Sequence, residues 1–156
     1  MLKNIIIFII IFVSFSLLCA EEITGLAQLT KECIDTAKKY KTIQNDLPYK
    51  SLHTVQYEGW SGDADNFQLV RSVKMTIKYS GASKTGYYWF LNNPQKKYDI
   101  IAKSDRSGNF EMVENIGGRI INYTFHGLMK DGVIQGLWEK GDGKKAFAFY
   151  VKAIDN

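Results

Sequence analysis

The residues able to do chemistry are few, and their spacing assembles no familiar machinery. The only histidines, His53 and His126, stand far apart, so local spacing yields neither a zinc ligand set nor a base for a nucleophile. Serines are scattered over turn segments, and the Gly-x-Ser-x-Gly elbow is absent. Asp63, Asp65 and Asn66 offer calcium-type oxygens, but the central glycine and closing glutamate of an EF-hand loop are missing, which makes the segment a solvated loop. Glu58, Glu111, Glu114 and Glu139 would support glycoside chemistry if two of them converged across a cleft, and strand alternation alone gives no such distance. The sequence therefore predicts no catalytic residue, no metal and no cofactor.

Aromatic side chains are the stronger signal. The chain holds 9 Tyr, 3 Trp and 9 Phe, with all the Tyr and Trp beyond the first twenty residues. Such rings fill a small core, or wall an apolar pocket carrying a few placed polar groups. Trp60, Trp89, Trp138 and Tyr123 are the candidate walls. Arg71 is the candidate anchor, because it interrupts an otherwise apolar face made by Phe67, Leu69, Val73, Met75, Ile77 and Tyr79. A charge buried there needs a carboxylate, a carbonyl cluster or a bound anion. Glu58, Glu111 and Glu114 are the possible protein partners, and exposure near a strand end is the other reading.

The elements that must position these residues are strands. From Phe67 to Val151, apolar and polar residues alternate between turn signals at Ser80-Gly81, Asn92-Asn93-Pro94, Arg106–Asn109, Gly117-Gly118, Asp131-Gly132 and Gly141–Gly143. One more strand at Leu52–Trp60 brings the count to eight. Eight short strands joined by tight hairpins can close on themselves and remove exposed edges. The expectation is a mainly β protein: an antiparallel meander closed into a small barrel. Tyr87–Phe90 is apolar on both faces, so one face needs a cover. In the last strand, small Ala146 and Ala148 would let a helix approach closely.

That helix is written before the barrel. Ile23, Leu26, Ala27, Cys33, Ile34, Ala37 and Tyr40 recur at three- and four-residue steps, Glu21 and Glu22 suit the start, and Lys38, Lys39 and Lys41 the end. Asn45–Pro48 stops it. Further upstream, basic Lys3, an apolar run from Ile5 through Phe15 and a small residue at Ala20 have the form of a secretory signal peptide cleaved after Ala20. Lipidation at Cys19 is the rival outcome, and the only route to a membrane. The expected organisation is a leader over 1–20, the helical segment over 21–48 and the barrel over 49–156, in the periplasm or secreted. A net charge of +4, without clustered basic residues, gives no nucleic-acid signature. Loss of Cys19 with the leader leaves Cys33 without a disulfide partner in the chain, and a small buried apolar role is expected for it.

The glycine-framed aromatics Gly86-Tyr87-Tyr88, Phe125-His126-Gly127 and Gly136-Leu137-Trp138 give the region Leu52–Val151 a resemblance to up-and-down barrels of the avidin and lipocalin type. That resemblance implies a fold and a ligand-binding habit. Ser80-Gly81-Ala82-Ser83 and Trp138–Asp142 are similar to the loops that periplasmic lysozyme inhibitors present to their enzyme. The first expectation is an exported, non-catalytic binder of a small molecule or glycan at a barrel mouth. The alternative is a protein-binding inhibitor that uses hairpin loops around Ser80 and Lys140, and a periplasmic hydrolase is the third reading.

Overall fold

The computed structural model describes residues 25–65, 70–143 and 145–154. The leader with Cys19, the pair Glu21-Glu22, Ile23, the strip Asn66–Leu69 and Lys144 lie outside the described residues. A helix, α1, spans residues 25–39. Eight strands follow: β1 (Tyr49–Asp63), β2 (Arg71–Gly81), β3 (Ser83–Phe90), β4 (Tyr98–Ser104), β5 (Asn109–Ile116), β6 (Arg119–Lys130), β7 (Val133–Lys140) and β8 (Ala146–Ala153). Each pairs antiparallel with the next, and β8 returns to β1 from Tyr57↔Ala153 to Asp63↔Phe147, closing the barrel in meander order.

Alternation sets the faces. On β2, Val73, Met75, Ile77 and Tyr79 are buried inside, whereas Lys74, Thr76, Lys78 and Ser80 look outward. On this strand the inner face is apolar and the outer face polar. No described helix is long and apolar enough to cross a membrane. The middle of the interior is solid, filled by Val73, Met75, Ile77, Ile100, Met112, Phe125, Ile134 and Val151. The strands bend tightly around so narrow a core, and this requires close backbone approach. A Cβ on Gly86 would sit 2.0 Å from the Thr76 carbonyl oxygen, a contact no side chain tolerates. Turn chemistry is equally specific: Asp131 and Gly132 both adopt positive φ, 51° and 76°, as a two-residue hairpin that follows the twist of its strands demands.

Helix α1 lies on the outside of β7 and β8. Cys33 is fully buried against Leu137 and Ala148, with Ile34, Ala37, Trp60 and Tyr150 around it, so the small Ala148 of the last strand does admit the helix. Two threonines extend the contact. Thr30 donates to the Leu26 carbonyl, and Gln135 on β7 donates to Thr36 Oγ1 at 3.0 Å. The Cys33 thiol reaches the Phe149 carbonyl at 3.4 Å, and burial pushes its pKa up to about 12, so it is no nucleophile at neutral pH. The helix ends earlier than the sequence stripe suggested because the barrel captures the next residues. Tyr40 drops its hydroxyl onto Glu111 at 2.9 Å, and the Lys41 amide donates to Asn109 Oδ1 instead of continuing the helical ladder.

The segment after α1 then crosses one end of the barrel and shuts it. Lys84, an inward position of β3 with no exposed surface, donates to Asp46 and to the Leu47 carbonyl. The same Asp46 carboxylate accepts the Ser104 amide, and the Leu47 amide donates to the Ser104 carbonyl at 3.0 Å. The exposed Lys38–Asp35 pair on α1, 3.5 Å apart, contributes little by comparison.

The buried cation makes the two partners unequal. Asp46→Ala leaves the Lys84 charge inside without its carboxylate and is expected to cost about 3–5 kcal/mol. Lys84→Met frees a carboxylate that already reaches solvent and is expected to cost less than half as much. Urea unfolding midpoints of the two variants check that order.

Candidate functional site

The other end of the barrel is hollow. Inward positions at the strand ends enclose a cavity of about 370 Å³. Tyr88 and Phe90 come from β3, Tyr98 from β4, Glu114 from β5, Tyr123 from β6, Trp138 from β7, and Phe147 and Phe149 from β8. Ser61 and Gly62 at the end of β1, Arg71 at the start of β2, and Lys145 before β8 complete the wall. Local backbone helps to make this room. The β5–β6 register shifts between Val113 and Asn115, so Glu114 stands where the ladder is interrupted.

Tyr88 organises the wall. Its ring stacks on Tyr98 at 4.9 Å and meets Phe90, Trp138 and Phe149 at tilted or edge-on angles, with centroids 5.7, 5.8 and 6.2 Å away. Its hydroxyl donates to Glu114 Oε1. Burial, then the Glu114 charge and this hydrogen bond, raise the Tyr88 pKa far above its ordinary value. The phenol stays protonated, and Glu114 is held as an acceptor. Trp138 is buried between the same rings, and among the described residues its Nε1 has no hydrogen-bond partner. The cations sit differently. The Arg71 guanidinium lies 5.5 Å from the Phe90 ring centroid, and the Lys145 ammonium 5.3 Å from that of Phe147.

Of the wall and anchor candidates singled out from the sequence, three meet here, Arg71, Tyr123 and Trp138, together with Glu114. Arg71 does continue the apolar face of β2, but at its open end, where it is exposed. None of the three glutamates considered for it forms an ion pair with it among the described residues; Glu58 faces outward, 4.0 Å from Lys74. Trp60 and Trp89 are not in the cavity wall. Strand parity turns both outward: Trp60 stacks on Tyr150 beside α1, and Trp89 lies beside Tyr87 under Lys97. Ser80 and Lys140 sit at opposite ends of the barrel, and Lys140 is tied to Asp142 within its own turn at 3.4 Å.

The carboxylates do not gather in one cleft. Glu114 faces inward, whereas Glu111 and Glu139 flank His126 on the outer face, at 3.8 and 3.5 Å. Tyr40 covers that imidazole at a centroid distance of 4.8 Å, so the cluster docks the end of α1 onto the barrel. Among the described residues no group of His, Cys, Asp and Glu is arranged to hold a metal ion. The wall residues that the sequence reading did not place in a wall are mostly aromatic: Tyr88, Phe90, Tyr98, Phe147 and Phe149. A run such as Tyr87–Phe90 conceals which parity points inward, and only the cross-strand register resolves it.

No protein-family model, no curated protein and no solved structure matches the chain.

The tyrosines give the fold an alkaline limit. In the folded state Tyr88 titrates far above the ordinary 10.0, and Tyr40, raised first by burial and then by its bond to Glu111, at about 12. A folded pKa above the unfolded one means that the stability gained is complete below the unfolded value and is lost as pH rises beyond it. Unfolding midpoints are therefore expected to hold up to about pH 10 and to decline above it, with Tyr40 contributing its decline by about pH 12. Tyr88→Phe should flatten that decline, which a pH series of urea titrations would measure.

Proposed function

We propose that this chain is an exported, non-catalytic binding protein that takes one small ligand in the cavity at the open mouth of its barrel. The observation that carries the reading is the cavity itself. Its volume of about 370 Å³ falls within the range of about 300–1,000 Å³ common to ligand pockets. Rings supply most of the wall and charged groups are few, as orientation-specific binding requires. The architecture is that of the up-and-down barrels that avidins and lipocalins also form, and this supports a binding role by analogy alone.

Binding fits the wall better than chemistry does. The carboxylate in it, Glu114, already accepts from the Tyr88 hydroxyl, and burial holds that hydroxyl in its neutral form. The Tyr88 hydroxyl is no nucleophile near neutral pH, and an oxygen of Glu114 is occupied by it. Export rests on the leader over 1–20, and a mature chain from Glu21 in the periplasm or outside the cell is part of the same proposal.

Native mass spectrometry of the protein gently released from the cells that export it tests the proposal. The expected spectrum shows a chain beginning at Glu21 with one small molecule retained per barrel. A bare chain that gains no mass on incubation with a small-molecule extract of the same cells, or a complex with a second protein through the hairpin loops, would overturn the pocket reading.

A further inference from the structure

We infer that the mouth selects aromatic organic anions, with the ring system of the ligand held among the wall aromatics and its acidic group at the rim. This inference rests on the mouth being the binding site, and it adds the chemical class of the ligand. Shape gives the first half. Tyr88, Tyr98 and Phe90 already stand in mutual stacking and edge-on geometry around the hollow, so a flat ring entering it continues an existing arrangement of rings.

Charge gives the second half. Two cations and one carboxylate line the cavity. The carboxylate, Glu114, is engaged by the Tyr88 hydroxyl. Arg71 and Lys145 lie over the π faces of Phe90 and Phe147, and among the described residues neither forms an ion pair. A π face leaves the hydrogens of a guanidinium or an ammonium available, so an incoming carboxylate or sulfonate gains charge-assisted bonds without displacing a protein anion. Both cations are exposed at the rim, and the anionic group stays partly hydrated, which avoids the cost of burying an isolated charge. A cationic ligand meets the opposite balance, with two like charges at the entrance.

Calorimetric titration of the exported protein with three probes that share one ring system tests the inference: 2-naphthoate, 2-naphthalenemethanol and 2-naphthylmethylamine. Low ionic strength keeps the rim charges unscreened, and an NMR spectrum of the Trp138 indole NH, identified with the variant Trp138→Phe, reports occupancy of the mouth. Naphthoate is expected to bind about tenfold more tightly than the alcohol, the effect of one charge-assisted contact, with the amine weakest. Arg71→Gln and Lys145→Gln are each expected to weaken naphthoate several-fold and to leave the alcohol unchanged. If the alcohol or the amine shifts the Trp138 signal with an affinity equal to that of naphthoate, or if the two variants bind naphthoate like the parent protein, the anion preference is wrong while the mouth remains a binding site. If none of the three moves the signal at millimolar concentration, the mouth-binding proposal falls with it.

Discussion

The return of β8 to β1 is the constraint on which the rest of the molecule depends. A meander of eight strands left open would expose two edges of unpaired amides and carbonyls and could not enclose a volume. The seven-pair register between Tyr57–Asp63 and Phe147–Ala153 satisfies those groups and fixes which side of every strand looks inward. Closure also sets the backbone requirements. A barrel this narrow brings the β2 backbone so close to β3 at Gly86 that only a glycine fits there.

Closing the wall leaves two ends, and the chain treats them in opposite ways. One is shut by the segment after α1, whose Asp46 meets the buried Lys84 and whose backbone joins Ser104. A buried ion pair is a weak source of net stability, because desolvation offsets most of the attraction. What the pair does fix is position, since both Asp46 and the Leu47 carbonyl meet the one ammonium. At the other end, bulky rings ring the rim instead of filling the axis, the β5–β6 ladder shifts register, and a hollow remains. Helix α1 does not enter the barrel; Cys33, Ala37 and Tyr40 fasten it to the outside of β5 to β8. The positions that close one end and open the other are thus set by the parity of the same strands, Lys84 and Tyr88 being two inward residues of β3.

Much of the architecture was legible in the sequence because its signals are local. The alternation from Arg71 to Ser80, the Asp131-Gly132 and Gly117-Gly118 turns, and Ala148 in the last strand each report backbone chemistry that tertiary context did not override. The site was legible only in part. Arg71, Tyr123 and Trp138 do reach the cavity wall, because a charge on an apolar face and aromatics on patterned strands retain their parity. Trp60 shares the outward parity of Gln56 and Glu58, whereas Tyr87–Phe90 carries no polar marker to tell which way Trp89 points, and a tryptophan covers a helix as readily as it walls a pocket. Lys84 ran against the pattern altogether: a lysine in a strand reads as outward, and its partners Asp46 and the Leu47 carbonyl are distant in sequence. The end of α1 was obscured in the same way, since the contacts of Tyr40 and Lys41 are with β5.

The central claim is an interior sealed along the β1–β8 ladder and across one end, and open at the other. Amide hydrogen exchange tests it in one experiment. The account predicts that the paired amides of Tyr57–Asp63 and Phe147–Ala153 exchange as slowly as those of β5 and β6, with the Leu47 and Ser104 amides also protected. Rapid exchange along β1 and β8, at the rate of a free sheet edge, would contradict closure and with it the cavity on which the proposed function is built.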